Sequence, residues 1–169
     1  TEDTLEAKYV AKGVAWEYVI ELCNLLQKDA WINIPTLATD DYVQQLATLL
    51  KNNLNPNLNI YIEYGNEMWS FKTIAGTINF YEAKKEVLSG NSPLNQNGET
   101  DEEVWSMRRY AKRSKEIADI FFNVYGLTNP YGRIRPVLGY HNDRPEINLR
   151  KLLEFIQQNY GAPKNYFYG

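Results

Sequence analysis

Cysteine and histidine are nearly absent from this chain. Of its 169 residues, one is cysteine, Cys23, and one is histidine, His141. A lone cysteine cannot build an internal disulfide framework or a thiolate metal cluster. A lone histidine excludes any site that needs two. No ligand cluster stands out, so no metal and no cofactor is expected. Long apolar runs are also missing: none approaches the ~18 residues of a membrane span. The N-terminus lacks the basic and apolar regions of a signal peptide. Basic charge is not in excess, since the formal net charge is -3. A phosphate-backbone binder carries a basic field, so nucleic acid is not an expected partner. No initiator methionine precedes Thr1, which fits a processed chain or an internal segment.

Aromatic residues, by contrast, are plentiful: 13 Tyr, 6 Phe and 4 Trp. Exposed aromatic faces are platforms for sugar rings, whose C–H faces are apolar. The plainer alternative is tyrosines half-buried in a core with their hydroxyls in water. Hydrophobic residues make up 44% of the chain, which suits a packed domain and not a disordered one.

Periodicity orders the elements. After Gly13, the stripe Ala15, Tyr18 or Val19, Leu22, and Leu25 or Leu26 predicts a helix to about Lys28. Ala30 to Ile34 reads as a short strand ended by Pro35. Thr39 is a credible N-cap, and Asp40 and Asp41 favour the positive helix end that follows. That helix buries Val43, Leu46 or Ala47, and Leu50. Leu58 to Tyr64 reads as a second strand, with Leu58, Ile60 and Ile62 on one face. Tyr61, Glu63 and, past the strand, Glu67 lie on the other. A helix carrying Phe71, Ile74 or Ala75, Ile78 and Tyr81 follows. Ser89 to Asp101 reads as a long loop. Val104, Met107, Ala111, Ser114, Ala118, Phe121 and Tyr125 then stripe a long helix ended by Gly126. Arg133 to His141 is a third strand, and Pro145 lies near the start of another helix. Tyr166 to Tyr168 is a candidate fourth strand.

Strands that alternate with helices imply a parallel sheet. No internal repeat and no second domain is evident, so residues 1–169 read as one segment. Two architectures fit: an open doubly wound sheet and a (β/α)8 barrel. Strands of an open sheet are apolar on both faces. Here Asn33, Tyr61, Glu63 and His141 point opposite to the helix-facing isoleucines, and a barrel lumen suits them better. Trp31 is expected to pack in that lumen. No strand is followed by a glycine-rich phosphate loop.

The chemistry concentrates in Tyr61-Ile62-Glu63-Tyr64-Gly65-Asn66-Glu67-Met68-Trp69. An Asn-Glu pair ends a parallel strand, with an aromatic two residues on. A partly desolvated glutamate stays protonated and can donate to a leaving sugar oxygen. Asn66 can bond a sugar hydroxyl, and Trp69 can stack on a ring. The plainer alternative makes Glu67 a carboxylate at a helix N-terminus and Asn66 its cap. Glu63 reads as a structural partner for an arginine. Asn33 and His141 are candidate substrate contacts at strand ends, although a lone loop histidine is more often structural. Asp143 and Glu146 are set aside as second carboxylates. The basic run Arg108, Arg109, Lys112 and Arg113 reads as a solvated helix face, and Cys23 as inert core.

Glu63, Asn66 and Glu67 resemble the E-x-x-N-E pattern on the fourth strand of clan A glycoside hydrolases. More broadly, residues 13–126, about two thirds of the chain, look like the hydrolase-like region of uncharacterised bacterial proteins. The stretches that carry the likeness are Gly13-Val14-Ala15-Trp16-Glu17-Tyr18, Trp31-Ile32-Asn33-Ile34-Pro35, Thr39-Asp40-Asp41-Tyr42-Val43, Glu63 to Trp69, and Arg109 to Ser114. The resemblance implies a retaining (β/α)8 enzyme on a β-linked polysaccharide, with Glu67 as acid/base. It implies a parent protein at the cell surface or outside the cell. It departs from the pattern in two ways. Met68 stands where a proline often follows the acid/base, and the nucleophile of such enzymes ends strand seven. If Leu58 to Tyr64 is strand four, strand seven lies beyond Gly169. A full barrel needs about 250 residues. The chain therefore reads as a partial barrel of about four strands, roughly three to six. On that basis the partners are a carbohydrate and the rest of the barrel, and the chain alone is expected to be inactive. A non-catalytic carbohydrate-binding module and a self-contained open-sheet domain are the alternatives.

Overall fold

The computed structural model describes residues 13–169; the first twelve residues of the expected segment lie outside the described ones. The chain runs α1 (Trp16–Leu26), β1 (Ala30–Ile34), α2 (Asp40–Asn53), β2 (Ile60–Tyr64), α3 (Ile74–Leu88), α4 (Glu102–Tyr125), β3 (Ile134–Val137) and α5 (Lys151–Asn159). A short 3-10 segment, Pro93–Gly98, divides the long loop before α4, and a wide turn, Glu146–Arg150, leads into α5. The three strands form one open parallel sheet in the order β1-β2-β3. Mixed α/β architecture with parallel strands is thus as expected.

Local chemistry starts and stops these elements where the sequence marks them. The Thr39 hydroxyl accepts from Tyr42 N–H at 3.2 Å and caps α2. Val43, Leu46, Ala47 and Leu50 form its buried stripe. Asp101 accepts from Glu103 N–H at 2.8 Å at the start of α4, and Gly126, at φ 69°, closes the other end. Along β1 and β2, Ala30, Ile32, Ile34, Ile60, Ile62 and Tyr64 are buried against the helices. Trp31, Asn33, Tyr61 and Glu63 occupy the opposite face. β3 continues the pattern, with Ile134 and Pro136 buried and Arg135 and Val137 less so.

Several expected features differ. β2 begins at Ile60, because Leu58 N–H is spent on the turn carbonyl of Asn55 at 3.0 Å. β3 ends at Val137, and Gly139 N–H turns away to the Tyr110 hydroxyl at 2.8 Å. Tyr166 to Tyr168 is not a strand. Phe167 N–H still bonds Pro163, and only Tyr168 N–H reaches Pro136 O, with Leu138 N–H reaching Gly169 O. The described sheet thus holds three strands and not four. α1 turns its apolar stripe outward: Tyr18, Leu22, Leu25 and Leu26 are exposed, and only Ile20 is buried. This helix packs along the sheet's edge over β1 and α2, and among the described residues most of its circumference meets no other element.

The basic run on α4 is not a solvated face either. Arg108 is 5% exposed. It donates to Leu94 O at 2.7 Å and lies 3.9 Å from Glu99. Arg109 donates to the Tyr64 hydroxyl at 3.1 Å and to Asn79 at 2.8 Å. Arg113 holds Asp40 at 2.6 Å, and Lys112 holds Glu86 at 2.8 Å. α4 is flanked by α2, α3, α5 and the sheet, which leaves this stretch no free side.

Candidate active site

The strands bring their C-terminal ends together at Asn33, Glu63 and Val137, which are register partners across the sheet. Glu63 sits mid-row on the open face. Its Oε2 accepts from Trp31 Nε1 at 3.1 Å and from Asn33 Nδ2 at 3.0 Å. Asn33 also donates to Gly65 O at 2.6 Å, which pins the turn that follows β2. The expected arginine partner for Glu63 is therefore replaced by two neutral N–H donors. Among the described residues no cation pairs with it, since Arg109 is taken by Tyr64 and Asn79, and Arg135 bonds Tyr61 at 2.5 Å. The hydrogen bonds that reach Glu63 all land on Oε2.

The other oxygen, Oε1, faces Gly139. A β-carbon at Gly139 would lie 2.9 Å from Oε1, 3.3 Å from the Trp69 ring and 3.5 Å from the Tyr110 hydroxyl. Only glycine lets the backbone approach the carboxylate this closely. Tyr110 rises from α4 beneath it, fully buried and stacked on Tyr64. Burial first, and the Glu63 charge second, push the Tyr110 hydroxyl well above the ordinary tyrosine range. Trp69, half-buried, lies over this corner, with the His141 ring 5.9 Å from its own. His141 is an exposed loop residue whose Nδ1 lies 3.2 Å from Asp143. Trp31 is not packed away as expected. It is 56% exposed and stacks on Tyr61 at 5.4 Å and 10°. Arg135 continues that row, 5.3 Å from the Tyr61 ring and 4.8 Å from the Tyr168 ring.

Asn66 and Glu67 lie just past β2 and are exposed. The strand alternation does not extend to Glu67, because Gly65 (φ 68°) and Glu67 (φ 50°) both take left-handed backbone. Neither residue caps a helix. α3 starts at Ile74, and its cap is Thr73, which accepts from Gly76 N–H at 3.0 Å. The backbone of Glu67 instead closes a turn, its carbonyl accepting from Ser70 N–H at 2.9 Å. The capping explanation of the Asn-Glu pair thus falls away. The structure gathers Asn33, Glu63, Trp69 and His141 around one corner and leaves Asn66 and Glu67 at its exposed rim.

Sequence reasoning missed Tyr110 and Gly139. Tyr110 lies off the single stripe read for α4, which is buried on more than one side. Gly139 carried a signal in being a glycine right after a strand, but its close neighbours come from β2, the β2–α3 turn and α4. Among the described residues no group of three or more His, Cys, Asp or Glu could hold a metal ion, and no helix is long and apolar enough to cross a membrane.

No known protein family, curated protein or solved structure matches the chain.

Proposed function

We propose that this chain is a segment of a glycoside hydrolase-like (β/α)8 barrel that acts on or binds a β-linked polysaccharide. One observation supports this above the others. Among the described residues, helices cover one face of the parallel sheet, and its other face is polar and aromatic, as a barrel lumen is. An Asn-Glu pair stands at the C-terminal end of its middle strand, where barrel enzymes keep their chemistry. Glu67 serves as acid/base in a retaining two-carboxylate mechanism, Asn66 orients a substrate hydroxyl, and Trp69 offers a stacking face. The left-handed backbone at Glu67 is in keeping with this role. Strained non-glycine residues concentrate at functional sites, and no capping duty accounts for this one. The chain holds the acid/base half of the site, and the remaining strands supply the nucleophile. Alone, it turns over no substrate.

A second reading is favoured by the exposure of Glu67. An acid raised in pKa by desolvation needs cover, and the described residues leave this carboxylate in the open. In that reading the chain binds sugar without cleaving it. Replacing Glu67 by Gln in the complete protein separates the two. The acid/base role predicts a fall in turnover of about 10²–10⁴ on a β-linked polysaccharide with binding retained. Unchanged turnover on a confirmed substrate would remove Glu67 from the mechanism.

A further inference from the structure

A cluster of aromatic residues at the start of α3 takes no part in the corner described above. Phe71, Phe80 and Tyr81 line a surface cavity of about 490 Å³, and Asp101, Glu102 and Glu103, at the start of α4, complete its lining. That volume is in the range of small-ligand sites. Phe71 is 44% exposed and Tyr81 64%. Phe71 meets Phe80 edge-on at 4.9 Å, and Phe80 meets Tyr81 edge-on at 5.7 Å, so the three rings make one continuous apolar patch. The Thr77 hydroxyl donates to Phe71 O at 3.0 Å and fixes the turn that carries the first ring.

The polar side of the cavity narrows the class of ligand. Lys84 pairs with Glu102 at 2.6 Å, and Arg144 pairs with Glu103. Two of the three carboxylates thus have their cations, which leaves little charge to attract a cationic ligand. What they offer is acceptor oxygens already held in place. Asp101 Oδ1 accepts from Glu103 N–H at 2.8 Å, and its Oδ2 takes no hydrogen bond from the described residues. A hydroxyl that donates to a carboxylate makes a short, strong bond, and little ordering is lost when the acceptor is already fixed. A wholly apolar partner would strand these oxygens. A ring with an apolar C–H face and a hydroxyl edge matches both sides, and that is a neutral sugar.

The cavity also adjoins the proposed site. Phe71 follows Trp69 by two residues, at most about 7 Å along the chain. Arg144, the partner of Glu103, belongs to the loop that carries His141, whose ring lies 5.9 Å from that of Trp69. Resting on the carbohydrate reading above, we infer that this cavity is a second sugar subsite, which takes a further unit of the same neutral β-linked chain that Trp69 holds. Tyr81 is its stacking residue, and Asp101 Oδ2 its free acceptor.

The test is calorimetric titration of the chain with β-1,4-linked dimers and hexamers of glucose, mannose and xylose. For the sugar that binds, the hexamer should bind at least about tenfold tighter than the dimer, which is too short to span both places. Tyr81→Ala should remove that advantage, and Tyr81→Phe, which keeps the ring, should restore it to within about twofold. Raising the salt to about 0.5 M should leave the hexamer's affinity unchanged, since the ligand carries no charge. Tetramethylammonium, a cation probe for the same rings, should not displace the hexamer. The length series needs no variant, so it stands even if a substitution disturbs folding. Equal affinities for dimer and hexamer would overturn the inference and leave the carbohydrate reading standing. So would a hexamer affinity untouched by Tyr81→Ala, erased by salt or lost to tetramethylammonium. Failure of every oligomer to bind would overturn the carbohydrate reading itself, and the inference with it.

Discussion

Glu67 shows how much one residue's backbone can reveal. A side chain with a β-carbon rarely adopts φ near +50°, and doing so costs on the order of 1 kcal/mol. Elsewhere among the described residues, positive φ outside glycine falls on Asn91 and Asn97, which tolerate it, and on Gln27 at the end of α1. Glu67→Gly should therefore stabilise the fold by roughly 1 kcal/mol, read as a higher denaturation midpoint. Under the acid/base role proposed for Glu67, the same change should abolish turnover. A gain in stability bought with a loss of function is what a strained functional residue predicts. A loss of stability would show instead that the Glu67 side chain supports the fold. The identity of this residue was legible in the sequence through its place after Asn66. Its backbone state was not, because Gly65 and the turn to Ser70 set it jointly.

Among the elements, α4 decides most. It carries Tyr110 to the site, Arg109 to Tyr64 and Asn79, and Arg108 to the loop ahead of it. That loop is held by Glu99, which accepts from Thr100 and Asp101 N–H and from Lys151 of α5 at 3.1 Å. Burial works against the Glu99 charge. The Asp101 N–H bond, Lys151 and Arg108 outweigh it and hold its carboxyl below the usual carboxylate range. The sign follows from linkage. A carboxylate whose folded pKa is depressed contributes its stability above its unfolded pKa, about 4.3, and loses it as pH falls through the lower folded value. Glu99→Ala should cost about 3 kcal/mol near neutral pH, because it leaves Arg108 buried without its countercharge. The deficit should shrink when unfolding is measured in acid below pH ~4. A deficit independent of pH would mean that Glu99 acts through packing alone. Helix stripes were readable where one side is buried, as on α2. They misled on α1, whose neighbours among the described residues lie along the sheet edge, and on α4, which has neighbours on several sides.

At the scale of the whole molecule, three features meet that have no partner among the described residues. The open sheet face exposes Trp31 at 56% and Tyr168 at 45%. Among the described residues β1 is an edge strand, with neither charge nor proline within Ala30–Ile34 to guard its outer N–H and C=O groups. α1 beside it exposes Val14, Tyr18, Leu22, Leu25 and Leu26. If the chain is the barrel segment proposed above, it should self-associate through such surfaces when separated from its flanking strands. Sedimentation of the chain as it stands should show association that grows with concentration. Glu in place of both Leu22 and Leu25 should weaken it at least about tenfold. Each change should shift stability by no more than about 0.5 kcal/mol, because neither side chain is packed. A strictly monomeric, cooperatively folding chain would favour the self-contained open-sheet domain.

Some of this follows from the sequence by itself. Parallel α/β alternation, the buried isoleucine rows, the caps at Thr39 and Gly126 and the Asn-Glu pair after β2 are local properties, written in spacings of two, three and four residues. Tertiary structure alone decided the rest. Glu63 is partnered by Trp31 and Asn33, thirty-two and thirty positions earlier, and Gly139 is bonded to Tyr110, twenty-nine positions earlier. Such pairings depend on which strand lies beside which and on how the helices stack behind them. They decide whether a carboxylate meets a cation or a neutral donor, and periodicity within one element carries no trace of that choice.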